Sequence, residues 1–242
     1  MTNNDLPLEK IHRDFVANLS HELRTPLTVI RGYLEMLQDH KQLAPTTWHK
    51  MFDQMHEQSL RMEKLVEDLL LLSRLEIDLP EVKPPQDVAI IPLIRAVCDE
   101  AHMLSAGQHQ IHFHPLSQAL LYGQEDELRS AFSNLLLNAV KYTPANGVID
   151  VTWTIDKDGA HFIVKDTGIG IAAHHLTRIT QRFYRVDKAR SRANGGTGLG
   201  LAIVKHVLLR HDAELLIQSE LGKGSTFDCH FSNDRVTFPQ GK

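Results

Sequence analysis

Between Val16 and Leu72 apolar side chains recur every three or four residues, and this spacing restricts the fold more than any other feature of the chain. Val16, Leu19, Leu23, Leu27, Ile30, Leu34 and Leu37 form a near-heptad seam within residues 11–38. On a helix of about 3.6 residues per turn these positions share one face. A turn signal follows at Leu43, Ala44, Pro45, Thr46 and Thr47, where Thr46 or Thr47 could cap a second helix. The seam of that helix runs Phe52, Met55, Met62, Val66, Leu69 and Leu72. Two long helices with one narrow stripe each bury little alone. Pairing with a second copy closes a four-helix bundle, so a homodimer is expected. A single hairpin resting on the rest of the chain is the alternative.

The pattern changes over residues 77–87, where Pro80, Pro84 and Pro85 interrupt the helical periodicity. The organisation expected is a helical region at 1–79, a linker at 80–87 and a mixed region at 88–242. In the mixed region, helices are expected at 91–105, 125–142 and 199–210. Short strands are expected at 110–114 and 119–122. The alternating runs VIDVTWTID and AHFIVKD, joined at Lys157, Asp158 and Gly159, read as a hairpin. Residues 172–196 read as a long loop with a short helical piece, and two strands, ELLIQSE and STFDCHF, meet at Leu221 to Gly224. The fold class is α+β: a helical hairpin followed by an α/β sandwich.

The net charge of −4 gives no basic field for nucleic acid. Cys98 and Cys229 lack partners at metal-ligand or redox spacing, which suits a reducing compartment. No apolar run approaches the roughly 18 residues of a membrane span, and the polar opening has no signal-peptide core. Any membrane attachment is expected through upstream segments, with these residues in the cytoplasm. Fifteen histidines raise the question of metal binding. HELRT, however, places Thr25 where a zinc-protease motif needs its second histidine. His109, His112, His114, His174 and His175 read as solvated surface residues.

His21 falls opposite the first seam, on an outer face shared with Asn18, Thr25 and Thr28. An ordinary solvent-facing histidine would look the same on geometry alone. Its neighbours favour chemistry: Glu22 could accept a proton from the ring, and Thr25 lies one turn on. Pro26 removes a backbone hydrogen bond in the turn carrying His21, at a cost of about 3 kcal/mol. The stretch FVANLSHELRTPLTVIRGYLEML resembles the phospho-acceptor box of sensor histidine kinases. The resemblance implies that His21 is the nucleophile, Glu22 its base, and Thr25 a residue that helps position water for dephosphorylating the partner.

Three further segments carry ligand chemistry. NLLLNAVKYTP sets Asn134, Asn138, Lys141 and Tyr142 at one-turn spacings on a helix, offering an amide ligand for Mg²⁺ and a cation for phosphate. DTGIGI ends a strand: Asp166 could accept from the adenine amino group, while Gly168 and Gly170 permit close approach. GGTGLGLAIVK, containing Thr197, Gly198, Leu199 and Gly200, leads into a helix whose free N–H groups favour phosphate. Each is weak alone. DTG is also the aspartic-protease triplet, but Lys165 stands where that motif expects an apolar residue. GTGLG lacks the ending of a P-loop and the context of a dinucleotide fold.

In this order the segments resemble the ATP-binding domain shared by histidine kinases, type II topoisomerases, mismatch-repair ATPases and the ninety-kilodalton heat-shock chaperone. That resemblance implies ATP and Mg²⁺ as cofactors. Asn138 would hold the metal, Lys141 would touch phosphate and Tyr142 would pack by the base. Asp166 would read adenine, and residues 172–196 would form a mobile lid. RFYRVDKARS resembles the kinases' lid motif, with Phe183 and Tyr184 as anchors and Arg185 reaching the γ-phosphate. Thr167 and Ile169 replace the Asn and Pro often found in DNGPGI. The wording lies closest to the family's phosphate-regulon members. It implies a response-regulator receiver domain as partner, phosphatase action on it, and a full-length protein in the inner membrane.

Overall fold

The computed structural model describes residues 5–39, 44–76, 84–186 and 196–238. They fall into two compact units, a helical one that reaches Leu70 and a largely α/β one that begins at Leu71.

The helical unit consists of α1 (Asp5–Asp39) and α2 (Pro45–Glu76), the second continuing past Leu70. The Ala44 carbonyl accepts the first bonds of α2, from the N–H groups of Thr47 and Trp48. Thr46 and Thr47 therefore lie inside the first turn, not before it as the sequence suggested. Pro45 takes the first helical position, where its missing N–H costs nothing. α1 runs through Pro26 without a break. Around it the hydroxyls of Ser20, Thr25 and Thr28 donate to the carbonyls of Val16, His21 and Arg24 at 2.9, 3.2 and 2.9 Å. Such back-bonding bends a helix locally.

Both seams are partly bare. Leu27 on α1 and Phe52 on α2 are 52% and 54% exposed, and Val16, Leu34 and Val66 are also exposed. Met51 and Leu65, one residue before the expected seam members Phe52 and Val66, are buried, as are the seam member Leu72 and, beyond the seam, Leu75. The apolar face of α2 is thus wider than the seven-residue pattern implied.

The α/β unit contains β1 (Gln86–Ala89), α3 (Ile90–Ser105), β2 (Gln110–Pro115), β3 (Leu120–Gly123), α4 (Glu125–Tyr142), β4 (Val148–Ile155) and β5 (Gly159–Asp166). It continues through α5 (Ala173–Leu176), α6 (Gly200–Arg210), β6 (Ala213–Glu220), β7 (Gly224–Ser232) and β8 (Val236–Thr237). The main sheet has the order β2-β4-β5-β7-β6, parallel between β2 and β4 and antiparallel elsewhere. A small antiparallel sheet has the order β1-β3-β8. β1 takes up Gln86 and Asp87, which the sequence placed in the linker, by pairing them with Gly123 and Tyr122. With only Val88 buried, it is too short to show a period.

Alternation along the main sheet puts Ile149, Val151, Trp153, Phe162, Val164, Phe227, Cys229 and Phe231 inside. Phe132 of α4 stacks on Phe162 with ring centroids 3.9 Å apart, fixing the helix across the sheet. Glu125, Asp126 and Glu127 in the first turn of α4 and Lys141 in its last complement the helix dipole. Cys98 and Cys229 are free and buried; burial pushes the Cys98 thiol up to about 12 and that of Cys229 well above its ordinary value. His109, read as a surface residue, is half-buried and bridges the Ser105 hydroxyl and the Thr143 carbonyl. Leu43, Pro80 and residues 187–195 of the expected lid lie outside the described residues.

Candidate functional site

α4 is the backbone of the site in the α/β unit. Asn134, Asn138, Lys141 and Tyr142 are all half-buried along it. Asn134 donates from its amide nitrogen to the Ser130 carbonyl at 2.9 Å, which fixes its Oδ1 against the start of α6. A Cβ added at Gly200 would come within 2.6 Å of that oxygen. The side chain of Asn138 makes no hydrogen bond among the described residues, so its amide stays available to a ligand. The Lys141 ammonium lies 5.5 Å from the Tyr142 ring centroid.

The end of β5 is fastened to the same helix. The Ile169 N–H donates to the Tyr142 carbonyl at 3.1 Å, and a Cβ at Gly168 would lie 2.6 Å from that oxygen. Asp166 is buried, and its Oδ1 accepts from the Gly168 N–H at 2.8 Å. Burial raises the Asp166 carboxyl above its ordinary value, against the opposing pull of the Gly168 and Ser225 N–H groups. Gly170 has φ +66°, and a Cβ there would stand 1.9 Å from the Glu220 carbonyl oxygen. That position admits glycine alone.

Of the expected lid, the described part holds Phe183, Tyr184 and Arg185, all half-buried. The Phe183 N–H donates to the Gly198 carbonyl at 2.8 Å, with φ +59° at Phe183 and +75° at Gly198. The Tyr184 hydroxyl meets His175 Nδ1 at 2.6 Å, and the Arg178 guanidinium sits 4.5 Å from the Tyr184 ring centroid. Thr197 and Gly198 are half-buried, Leu199 is fully buried and Gly200 opens α6. The helix end, the β5 turn and the entry to α6 therefore meet around one face of α4.

The floor of this site was not legible in the sequence. The turn between β6 and β7 backs the Asp166 segment: the Gly222 N–H donates to the Ile169 carbonyl, and the Ile171 N–H donates to Ser219 Oγ, each at 2.8 Å. A Cβ at Gly224 would lie 2.0 Å from the Asp166 carbonyl oxygen. Gly222 and Gly224 were legible as turn residues, but not as supports for an acidic side chain more than fifty positions earlier.

In the helical unit His21 is exposed, as are Asn18, Thr25 and Thr28. Glu22 turns toward α2, where it accepts from Arg61 Nη2 at 3.2 Å with both side chains mostly covered.

Residues 11–77 match the His Kinase A phospho-acceptor domain, and residues 123–235 match the histidine kinase-, DNA gyrase B- and HSP90-like ATPase domain. This chain belongs to the sensor histidine kinases of two-component systems. It is 53% identical over 97% of its length to the phosphate regulon sensor protein PhoR of Pseudomonas aeruginosa, covering 53% of that protein. The chain spans about half the length of the curated relatives it matches. The histidine kinase AdeS of Acinetobacter baumannii shares the fold, with a TM-score of 0.68 and 21% identity over 88% of this chain and 97% of that one. The histidine kinase ShkA, solved in complex with AMPPNP, aligns with a TM-score of 0.65 and 28% identity over 94% of this chain and 47% of its own. The α/β unit is thus an ATP-binding domain and the hairpin a phospho-acceptor domain. Among the described residues no helix is long and apolar enough to cross a membrane.

Proposed function

We propose that this chain phosphorylates its own His21 from Mg–ATP and passes the phosphoryl group to an aspartate of a response-regulator receiver domain. The observation that carries this is a solvent-facing imidazole on the acceptor helix, within a chain that also holds an ATP-binding domain. The residues present fit the nucleotide. Asp166 is a buried acceptor suited to an adenine amino group, and Gly168 leaves space where a Cβ would fall 2.5 Å from Asp166 Oδ1. Asn138 offers a hard amide oxygen of the kind Mg²⁺ accepts. When bound, the metal supplies charge neutralisation at the phosphates.

The protein's own contribution is positioning and charge. Lys141 and Arg185 supply cations for phosphate oxygens, and Thr197 to Gly200 supply backbone N–H groups at the entry to α6. A nitrogen of His21 attacks the γ-phosphorus, the bond to ADP breaks, and the proton on the other ring nitrogen passes to Glu22. Thr25, one turn along the same face, would position water when the partner is dephosphorylated. Residues 1–79 would form the dimerisation and phosphotransfer domain, 80–87 the linker and 88–242 the catalytic domain. The half-bare seams of α1 and α2 support a homodimer closed as a four-helix bundle. Similarity to phosphate regulon sensors supports a role in phosphate-starvation signalling with that regulon's regulator as partner, and a full-length protein held in the inner membrane.

The test is a transfer assay against a panel of purified receiver domains with the wild type and Asn138→Asp. The wild type should label one receiver ahead of the others, and Asn138→Asp should lose self-labelling together with its Mg²⁺-dependent nucleotide heat in calorimetry. Equal activity of the variant would remove the metal role; absence of transfer to any receiver would remove the partner.

A further inference from the structure

The main sheet has a second group of chemically competent side chains, on the face turned away from α4. β2 and β4 are parallel, with His112 opposite Asp150 and His114 opposite Thr152. Residues two apart on a strand share a face, so His112, His114 and Asp150 stand together, opposite the inward side chains Ile111, Ile149 and Val151. Asp150 Oδ1 lies 3.2 Å from His112 Nδ1 and 3.2 Å from His114 Nε2. All three potential ligand atoms lie within 4.8 Å of one another.

Tetrahedral Zn²⁺ with bonds of roughly 2.0–2.2 Å sets neighbouring ligand atoms about 3.3 Å apart. Two of the three separations already have that length, and closing the third needs only rotation of an exposed imidazole. Half of this group is visible locally, as two histidines at i and i+2, but Asp150 is brought beside them by a parallel pairing that no local pattern shows.

We propose that His112, His114 and Asp150 form a binding site for a borderline divalent cation, Zn²⁺ foremost, with water completing the coordination. Two imidazoles and one carboxylate suit zinc and its imidazole-seeking neighbours, whereas Mg²⁺ prefers oxygen ligands and retains its waters. The metal would tie β2, an edge strand, to β4 by bonds additional to the ladder. It would occupy the side of the sheet that Asn138 does not serve, so its effect is separable from that of Mg–ATP. His161, stacked on His230 and paired with Asp228 and Asp156 further along the same face, provides an internal control, since its ring nitrogens face two separate carboxylates.

The experiment is calorimetric titration of the whole chain with Zn²⁺ in the absence of nucleotide, repeated with Mg²⁺. A parallel Co²⁺ titration reads the visible bands of tetrahedral cobalt. Wild type and His161→Gln should bind one zinc per chain with equal affinity at this site and show those bands. The double variant His112→Gln, His114→Gln should bind at least tenfold more weakly and lose them, while melting like the wild type in metal-free buffer. Mg²⁺ should give no corresponding heat. Wild-type protein that fails to bind Zn²⁺, a double variant that binds it equally, or a His161→Gln variant that loses it to the same extent would each overturn the site.

Discussion

Glu22 and Arg61 pair across the helical hairpin at 3.2 Å, and the carboxylate so held belongs to the residue next to His21. The acidic side chain proposed to receive the proton from His21 is therefore also tied to α2. The two roles separate by mutation. Glu22→Gln should slow self-labelling about a hundredfold, the lower end for general-base catalysis, with ATP affinity unchanged. Arg61→Ala leaves the carboxylate in place; it should retain most activity and cost about 1 kcal/mol of stability, the upper range for a partly covered pair. Labelling rates with radiolabelled ATP and urea unfolding followed by circular dichroism measure the two effects. A Glu22→Gln enzyme as fast as wild type would remove the base.

Gly170 makes the turn after Asp166 possible. Its φ of +66° and the Glu220 carbonyl 1.9 Å from any added Cβ leave an alanine no relaxed position. Gly170→Ala should destabilise the ATP-binding domain by at least about 1–3 kcal/mol, from left-handed strain plus displacement of the β6–β7 turn. Nucleotide affinity should fall with it. Melting temperatures and nucleotide titration check this, and an unshifted melt would contradict the geometry.

With the adenine role proposed for it, Asp166 should link pH to stability and to binding in opposite directions. Because burial raises its carboxyl, the folded domain holds that proton more tightly than the unfolded chain does. Its contribution to stability is complete below the unfolded value and is lost as pH rises through the folded one. Under the proposed role, adenine recognition uses the ionised acceptor, so ATP affinity should weaken on acidification, beginning at a higher pH than for an unburied aspartate. Asp166→Asn should melt no lower than wild type at pH 7 yet bind ATP at least about tenfold more weakly, as loss of a charge-assisted hydrogen bond implies. Calorimetry across the pH range reads both arms; unchanged affinity in the variant would end the adenine role.

Much of this was legible in the chain because strong local signals carry it. The helix at Glu125–Tyr142 and both hairpins of the main sheet follow from periodicity and turn residues that agree with the tertiary environment. β1 and β8 were not legible. A four-residue strand with one buried side chain and a two-residue strand have no period, and they exist only because β3 offers them an edge. The same holds in the site. Asp166, Asn138 and the glycines stood out by type and order, whereas Ser219, Gly222 and Gly224 act through long-range contacts. The pairing of Glu22 with Arg61 spans two helices, and the acceptor helix alone could not show it.

The seams on α1 and α2 give a prediction about assembly. Leu27 is 52% exposed in the single chain, a large apolar side chain left bare on an otherwise amphipathic helix. Leu27→Asp should shift the chain from dimer to monomer in sedimentation equilibrium while leaving nucleotide binding intact. A wild type that sediments as a monomer at every concentration would contradict the bundle.

The most direct measurement is self-labelling by γ-labelled ATP, with the phosphate mapped to its residue and tested for the acid lability of phosphohistidine. Wild-type protein should carry an acid-labile label on His21, and His21→Ala should carry none while binding ATP as tightly as before. Acid-labile label that persists in His21→Ala, or that maps to another residue, would contradict the account.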